Sequence, residues 1–210
     1  MQEITLAHVE AAIRAMADTA LANENHFSEL DGACGDGDFG TSLATGFRVV
    51  LAQWDTLDRS SIASFLHKVG VIITSNVGGC SGPIWGTGFL RAAGVARGKA
   101  VLTLPDLVAM AQAAMQGMMA RGGASLGDKT LLDALAPAAT QLAAPAHAGN
   151  VVAAWAAATA AAHATIESTR AWTARRGRQS FTGDRSQGTL DPGIVGVATM
   201  MQAIAATLKK

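Results

Sequence analysis

Three aspartates fall within eight residues in the segment LDGACGDGDFGTS: Asp31, Asp36 and Asp38. Gly32, Gly35, Gly37 and Gly40 lie among them. Carboxylates this close repel, and each ionised group raises the pKa of its neighbours. A cation relieves that repulsion, and hard oxygen ligands suit magnesium, manganese or calcium. The glycines let the backbone bend and aim the carboxylates at one point. An acidic surface turn built from Asx turns is the bland alternative. The spacing does not match an EF-hand loop, which needs a bidentate glutamate at its end. Gly35–Gly40 also fits G-x-G-x-x-G. No strand leads into it, however, and its two aspartates would repel a bare pyrophosphate. Those same charges become useful when a metal ion sits between them and phosphate.

A second loop, Asn76-Val-Gly-Gly-Cys80-Ser81-Gly-Pro83, precedes a helical run. Successive backbone N–H groups in such a turn form an anion nest, and the helix N-terminus adds partial positive charge. Ser81 supplies a hydroxyl, so phosphate is the natural guest; a plain Gly–Pro turn is the alternative. A third loop, Gly122-Gly-Ala-Ser-Leu-Gly127-Asp128-Lys129-Thr130, narrowly misses a P-loop. Asp128 intervenes between glycine and lysine and no strand precedes it, so it reads as a turn with Asp128 as helix cap. Gly122 and Leu131 could still line an apolar slot for a base. The fourth segment carries Arg170, Arg175, Arg176, Arg178 and Arg185 before Asp191-Pro192-Gly193. Arginines at a helix C-terminus complement its dipole, which accounts for Arg170 and Arg175. Arg178 sits in the loop proper and is better placed to pair with phosphate. His8, His67 and His163 fall in no metal-binding spacing and read as packing or surface, as do His26 and His147. Cys34 and Cys80 read as small loop fillers, and no Ser/His/Asp set is evident.

The elements that must position these loops are helices. Apolar periodicity and caps predict eight: Thr5 to about 23, Thr41 to about 54, from Asp58 or Ser60 through Ile73, and Gly82 to about 97. The others start at Thr103, with a Thr-Leu-Pro-Asp capping box, run from Asp128 to Leu142 and from about Asn150 to Arg170, and follow Asp191-Pro192 to Leu208. The β-branched run Val69–Thr74 is the one place where a strand competes. In an antiparallel array with short connections, alternate loops lie at the same end. The loops before the second, fourth, sixth and eighth helices are the four described above. They should therefore assemble one site from distant parts of the sequence.

Composition agrees. The 210 residues fit one all-α domain spanning 1–210, large enough to bury a core without staples. Hydrophobic residues make up 50% and charged residues 15%, with mean hydropathy +0.26, which excludes a disordered chain. Alanine is roughly a fifth of the chain, favouring helix. Aromatics are 5% with no tyrosine, which argues against a β-sandwich or barrel. Lys+Arg and Asp+Glu are 16 each. A neutral chain is a poor general binder of nucleic acid, and its low charge is compatible with a partner subunit or a homodimer. Two cysteines form no disulfide framework, pointing to a reducing, cytoplasmic setting. The N-terminus lacks the basic-then-apolar order of a signal peptide. No run has the length and apolarity of a membrane span.

Taken in order, Leu30-Asp31, Gly35-Asp-Gly-Asp-Phe39-Gly40, Val77-Gly-Gly-Cys-Ser81-Gly-Pro83, Gly127-Asp-Lys-Thr130, Ala174-Arg-Arg-Gly-Arg178, Gly183-Asp-Arg-Ser186 and Asp191-Pro-Gly193 resemble the nucleotide-binding L subunit family of dihydroxyacetone kinases. The likeness spans nearly the whole chain. It implies an antiparallel eight-helix barrel with the nucleotide held among the loops at one end. It also implies ADP or ATP with two magnesium ions as the bound groups. On matching positions, Asp31, Asp36 and Asp38 would be metal ligands, and Phe39, Gly40, Thr41 and Ser42 would adjoin the phosphates. Cys80 and Ser81 would contact phosphate, Gly122 and Leu131 would flank the adenine, and Arg178 with Asp191, Pro192 and Gly193 would close over the nucleotide. Members of the family often carry histidine at the position of Phe39, so any polar role there is lost.

In this family a separate K subunit holds the triose covalently through a histidine. The resemblance therefore implies that this chain supplies the phosphoryl group, with Ser81 and Arg178 fixing it in line and no nucleophile of its own. Either a resident ADP is rephosphorylated by a phosphotransferase-system M subunit, or ATP exchanges each turnover. A kinase subunit for another short ketose, and a non-catalytic metal-binding helical adaptor, are the alternatives.

Overall fold

The computed structural model describes residues 3–209. Among them are nine α-helices: α1 (Leu6–Ala22), α2 (Glu24–Gly32), α3 (Phe39–Ala52), α4 (Ile62–Asn76), α5 (Ser81–Val95), α6 (Leu104–Gly122), α7 (Leu131–Leu142), α8 (Val151–Ser168) and α9 (Pro192–Thr207). Eight of them form a ring. α1 packs on α3, each helix from α3 onward packs on the next, and α9 returns to α1. α2 is the extra piece and lies against α3 and α9. It went unforeseen because ENHFSELDG is polar, with Phe27 as its one fully buried anchor. The β-branched run Val69–Thr74 is helical within α4.

Local chemistry sets the ends. Asp106 accepts from the Thr103 N–H at 2.8 Å, completing the foreseen capping box of α6. Asp191 caps α9, accepting from the Ile194 N–H at 2.8 Å, with Pro192 in the first turn. The expected cap of α7 is corrected by two residues. Thr130 takes that place and pairs with Asp133, whose carboxylate accepts from the Thr130 N–H at 2.8 Å. Asp128 instead closes the preceding turn, accepting from the Ser125 N–H at 2.8 Å.

The ring's inner face buries Leu43, Phe47, Phe65, Val69, Ile73, Ile194 and Met200, among others. Each such side chain contributes about 1.5–3 kcal/mol. α4 and α5 approach closely because Gly86 has no side chain; a Cβ there would overlap Thr74 Oγ1 and lie 2.9 Å from the Gly70 carbonyl. At the end of the ring near the N-terminus, β1 (Glu3–Ile4) pairs antiparallel with β2 (Leu102–Thr103), Glu3 opposite Thr103. The connections 33–38, 77–80, 123–130 and 169–191 gather at the opposite end.

Candidate functional site

One cleft of about 240 Å³ draws its walls from all four of these connections and the helix ends beside them. Its lining includes Asp31, Asp36, Asp38, Phe39, Cys80, Ser81, Gly122, Leu131, Arg178, Asp191, Pro192 and Gly193. Residues separated by up to 162 positions (Asp31 to Gly193) thus share one cavity. The alternate-loop argument from the sequence predicts this gathering.

The aspartates converge through local geometry. Asp31 is buried in the last turn of α2, and its Oδ2 accepts the N–H groups of Asp38 at 3.1 Å and Phe39 at 3.3 Å. Gly35 is required where the chain doubles back, because a Cβ there would overlap Asp31 Oδ1. One carboxylate oxygen from each of Asp31, Asp36 and Asp38 lies within 4.8 Å of the others. Burial raises the Asp31 carboxyl, the Phe39 amide opposes it, and Asp36 and Asp38 add to the rise. Burial and the Asp36 charge raise Asp38 likewise, with Arg178 and Ser42 pulling it down. Three clustered carboxylates, of which Asp31 and Asp38 resist ionisation, offer only hard oxygen donors and suit a divalent cation. Arg178 supplies the nearby positive charge: its Nε lies 3.0 Å from Asp36 Oδ2, with both side chains well exposed.

Phe39 contributes its backbone amide to Asp31, while its ring is buried against Phe27 at 6.2 Å. Gly40, Thr41 and Ser42, expected beside the phosphates, occupy the first turn of α3 and do not line the cleft. Gly40 is buried against α2, and the Thr41 amide donates to Ser28 Oγ at 3.2 Å. Ser42 touches the site through Asp38.

Across the cleft, Ser81 begins α5 after Cys80. The first-turn amides of a helix have no acceptor within it, and Pro83 has no N–H of its own. The Ser81 and Gly82 amides thus have no acceptor within the helix, and Ser81 lines the cleft with the helix dipole behind it, an arrangement that suits an anion. Gly122 ends α6 and Leu131 begins α7, giving an apolar wall with Ile84 and Met118. Burial pushes the Asp191 carboxyl up to about 7; the Ile194 amide and Lys129 oppose the rise and Asp133 adds to it. Cys34 is buried and donates to the Arg185 carbonyl at 3.2 Å, whereas Cys80 is exposed.

Sequence reasoning missed Trp85, Gln179 and Lys129. Trp85 is buried on the cleft floor, one turn into the helix that follows the anion loop, a position that could have flagged it. Gln179 follows Arg178 and lines the same wall. Lys129, dismissed with the failed P-loop, is fully buried. Among the described residues, no helix is long and apolar enough to cross a membrane.

The family model described as the DAK2 domain matches residues 33–206. The ADP-binding subunit DhaL of the PEP-dependent dihydroxyacetone kinase of Escherichia coli K12 is 34% identical over 194 residues, 92% of each chain. The L-erythrulose 1-kinase of Mycolicibacterium smegmatis is 31% identical over 97% of this chain, which spans 36% of that relative. The crystal structure of the C. freundii dihydroxyacetone kinase in complex with AMP-PNP and Mg2+ superimposes with a TM-score of 0.74 at 27% identity. The match covers 95% of this chain and 34% of that one.

Proposed function

The chain belongs to the DAK2 domain family, and from that premise we propose that it is the ADP- or ATP-binding subunit of a dihydroxyacetone kinase. The observation that carries this reading is the convergence, in one cleft, of three carboxylates, a helix N-terminus built for an anion and a loop arginine. In this reading Asp31, Asp36 and Asp38 hold two magnesium ions against the nucleotide phosphates. The bound metal supplies charge neutralisation as the phosphoryl group transfers. The Ser81 hydroxyl and the α5 amides orient the phosphate, and Gly122 and Leu131 flank the base. Arg178 leaves Asp36 for the transferring group, where a positioned cation stabilises developing charge. Asp191, Pro192 and Gly193 close the remaining side.

Dihydroxyacetone is held on a separate K subunit in this proposal, as the resemblance to the kinase L subunits implies. A phosphotransferase-system M subunit regenerates the nucleotide, in keeping with the name of the E. coli relative, which is PEP-dependent. ATP exchange at each turnover is the second arrangement. The likeness to an L-erythrulose 1-kinase supports a variant reading with another short ketose as acceptor. The test is reconstitution with a K subunit, dihydroxyacetone and magnesium, supplied either with ATP or with phosphoenolpyruvate and the phosphotransferase components. Dihydroxyacetone phosphate formed only when this chain is present supports the reading. No product from either donor, with either triose or tetrulose, would overturn it.

A further inference from the structure

The segment between α8 and α9 carries Arg178 yet has little apolar packing of its own. From 171 to 188, Ala174, Gln179 and Ser186 are buried, while Phe181 is 84% exposed. What holds the segment is polar, and much of it comes from two consecutive residues in the opposite loop. The Lys129 ammonium donates to three carbonyls: Arg170 at 3.2 Å, Trp172 at 3.0 Å and Ser186 at 2.7 Å. An ammonium has three donors and no acceptor, so this set satisfies it completely. Two of the carbonyls lie where the segment leaves α8 and the third lies 14 residues beyond Trp172, so one cation ties both ends of the arginine loop together. The neighbouring Asp128 adds two tethers. Its carbonyl accepts the Arg175 N–H at 3.0 Å, and its carboxylate lies 3.4 Å from Arg176 Nε.

Lys129 adopts a left-handed backbone, φ 61°, which is unfavourable for a residue with a side chain. Its long side chain is fully buried without a carboxylate salt bridge. Burial lowers its pKa, opposed by the charges of Asp191 and Cys34 and aided by that of Arg170. A strained backbone and a buried cation at one residue signal a position kept for what the side chain organises.

We propose that Lys129 is the positioning residue for Arg178: it closes the arginine segment at its base, so that the guanidinium is presented above the aspartate cluster. The effect on phosphotransfer rests on the kinase reading above; the effect on the segment does not. The core of the ring lies elsewhere, so Lys129→Met should fold, and Lys129→Gln, which keeps an amide donor at similar depth, provides a second variant. Amide hydrogen exchange over 171–187 should speed up in both, with the ring helices unchanged. With a K subunit and dihydroxyacetone, kcat should fall about tenfold or more while the nucleotide KM moves little. The double variant Lys129→Met/Arg178→Ala should be no slower than Arg178→Ala alone, because the two act as one unit. Wild-type protection of 171–187 in the variants would overturn the proposal. So would kcat losses that multiply, or failure of both variants to fold, which would make Lys129 a requirement of the fold. Should the protein show no kinase activity in any form, the exchange result still decides the structural half.

Discussion

Neutralising Asp36 should make the metal-free protein more stable and the nucleotide-bound protein less so. One oxygen from each of the three carboxylates lies within 4.8 Å of the others. At that range two ionised carboxylates repel by about 1 kcal/mol in a water-like medium and about 3 at an effective dielectric of 20. The Asp36 side chain is 40% exposed, so the lower figure governs. Asp36→Asn relieves its repulsion with both Asp31 and Asp38, about 2 kcal/mol by that Coulomb figure. It forfeits the exposed pair with Arg178, worth about 0–1 kcal/mol. The net gain of about 1 kcal/mol corresponds to a rise of about 2–4 °C in Tm for a chain of this size. With magnesium and ADP at about 100 times the wild-type Kd, linkage adds about 2.7 kcal/mol to the wild type. Loss of a metal ligand should weaken binding at least about 100-fold, the upper end of what outer-shell partners cost. The variant then gains only about 0.4 kcal/mol under the same conditions. Thermal melts in chelator and in magnesium with ADP should therefore cross. A variant that melts below wild type in chelator, yet gains the full ligand-induced shift, would refute the electrostatic reasoning.

Three further outcomes follow from the same geometry. Arg178→Ala should slow phosphotransfer by about tenfold or more with modest change in nucleotide affinity; unchanged turnover in a reconstituted assay would reduce Arg178 to a surface charge. Asp191 holds a proton in the folded protein up to about pH 7 that the unfolded chain releases near 4. Its contribution to stability is therefore present at acid pH and lost as pH rises through that window. In chelator, Asp191→Asn, which keeps a helix-capping side chain, should flatten the fall in denaturation midpoint between about pH 5 and 7.5. Parallel profiles for the two proteins would count against the burial argument. Gly86→Val should lower stability by about 1–3 kcal/mol through overpacking between α4 and α5, read as a drop in Tm, and a neutral result would show that the helices can separate freely.

Much of this architecture is legible in the sequence because the helices advertise themselves. Thr103-Leu-Pro-Asp106 and Asp191-Pro192 mark two starts that the structure reproduces. Helix alternation then places the four polar loops together, which is how Asp31, Ser81, Leu131 and Arg178 can be assigned to one cleft before any coordinates. α2 was not legible, since a nine-residue segment whose apolar side chains are Phe27 and Leu30 alone carries almost no periodic signal. The cap of α7 was misassigned because Asp128 and Thr130 are both competent caps, and only the pairing of Thr130 with Asp133 decides between them. Gly40 stands just past the aspartate loop, in the first turn of α3, and its packing against α2 leaves no trace in the motif itself. Lys129 stands in the Gly127-Asp-Lys-Thr130 motif, but its role was not legible because its partners are backbone carbonyls 41–57 residues away, which leave no trace in residue types.

The central claim, a magnesium-dependent nucleotide site in this chain, is tested most directly by mass spectrometry of the purified protein, first native in magnesium buffer and then denatured. The account predicts a bound nucleotide, ADP in the resident-cofactor arrangement, that leaves on denaturation. An empty protein that takes up ATP once magnesium is added would satisfy the claim in its exchanging form. A protein that binds neither ADP nor ATP, with or without magnesium, would contradict it.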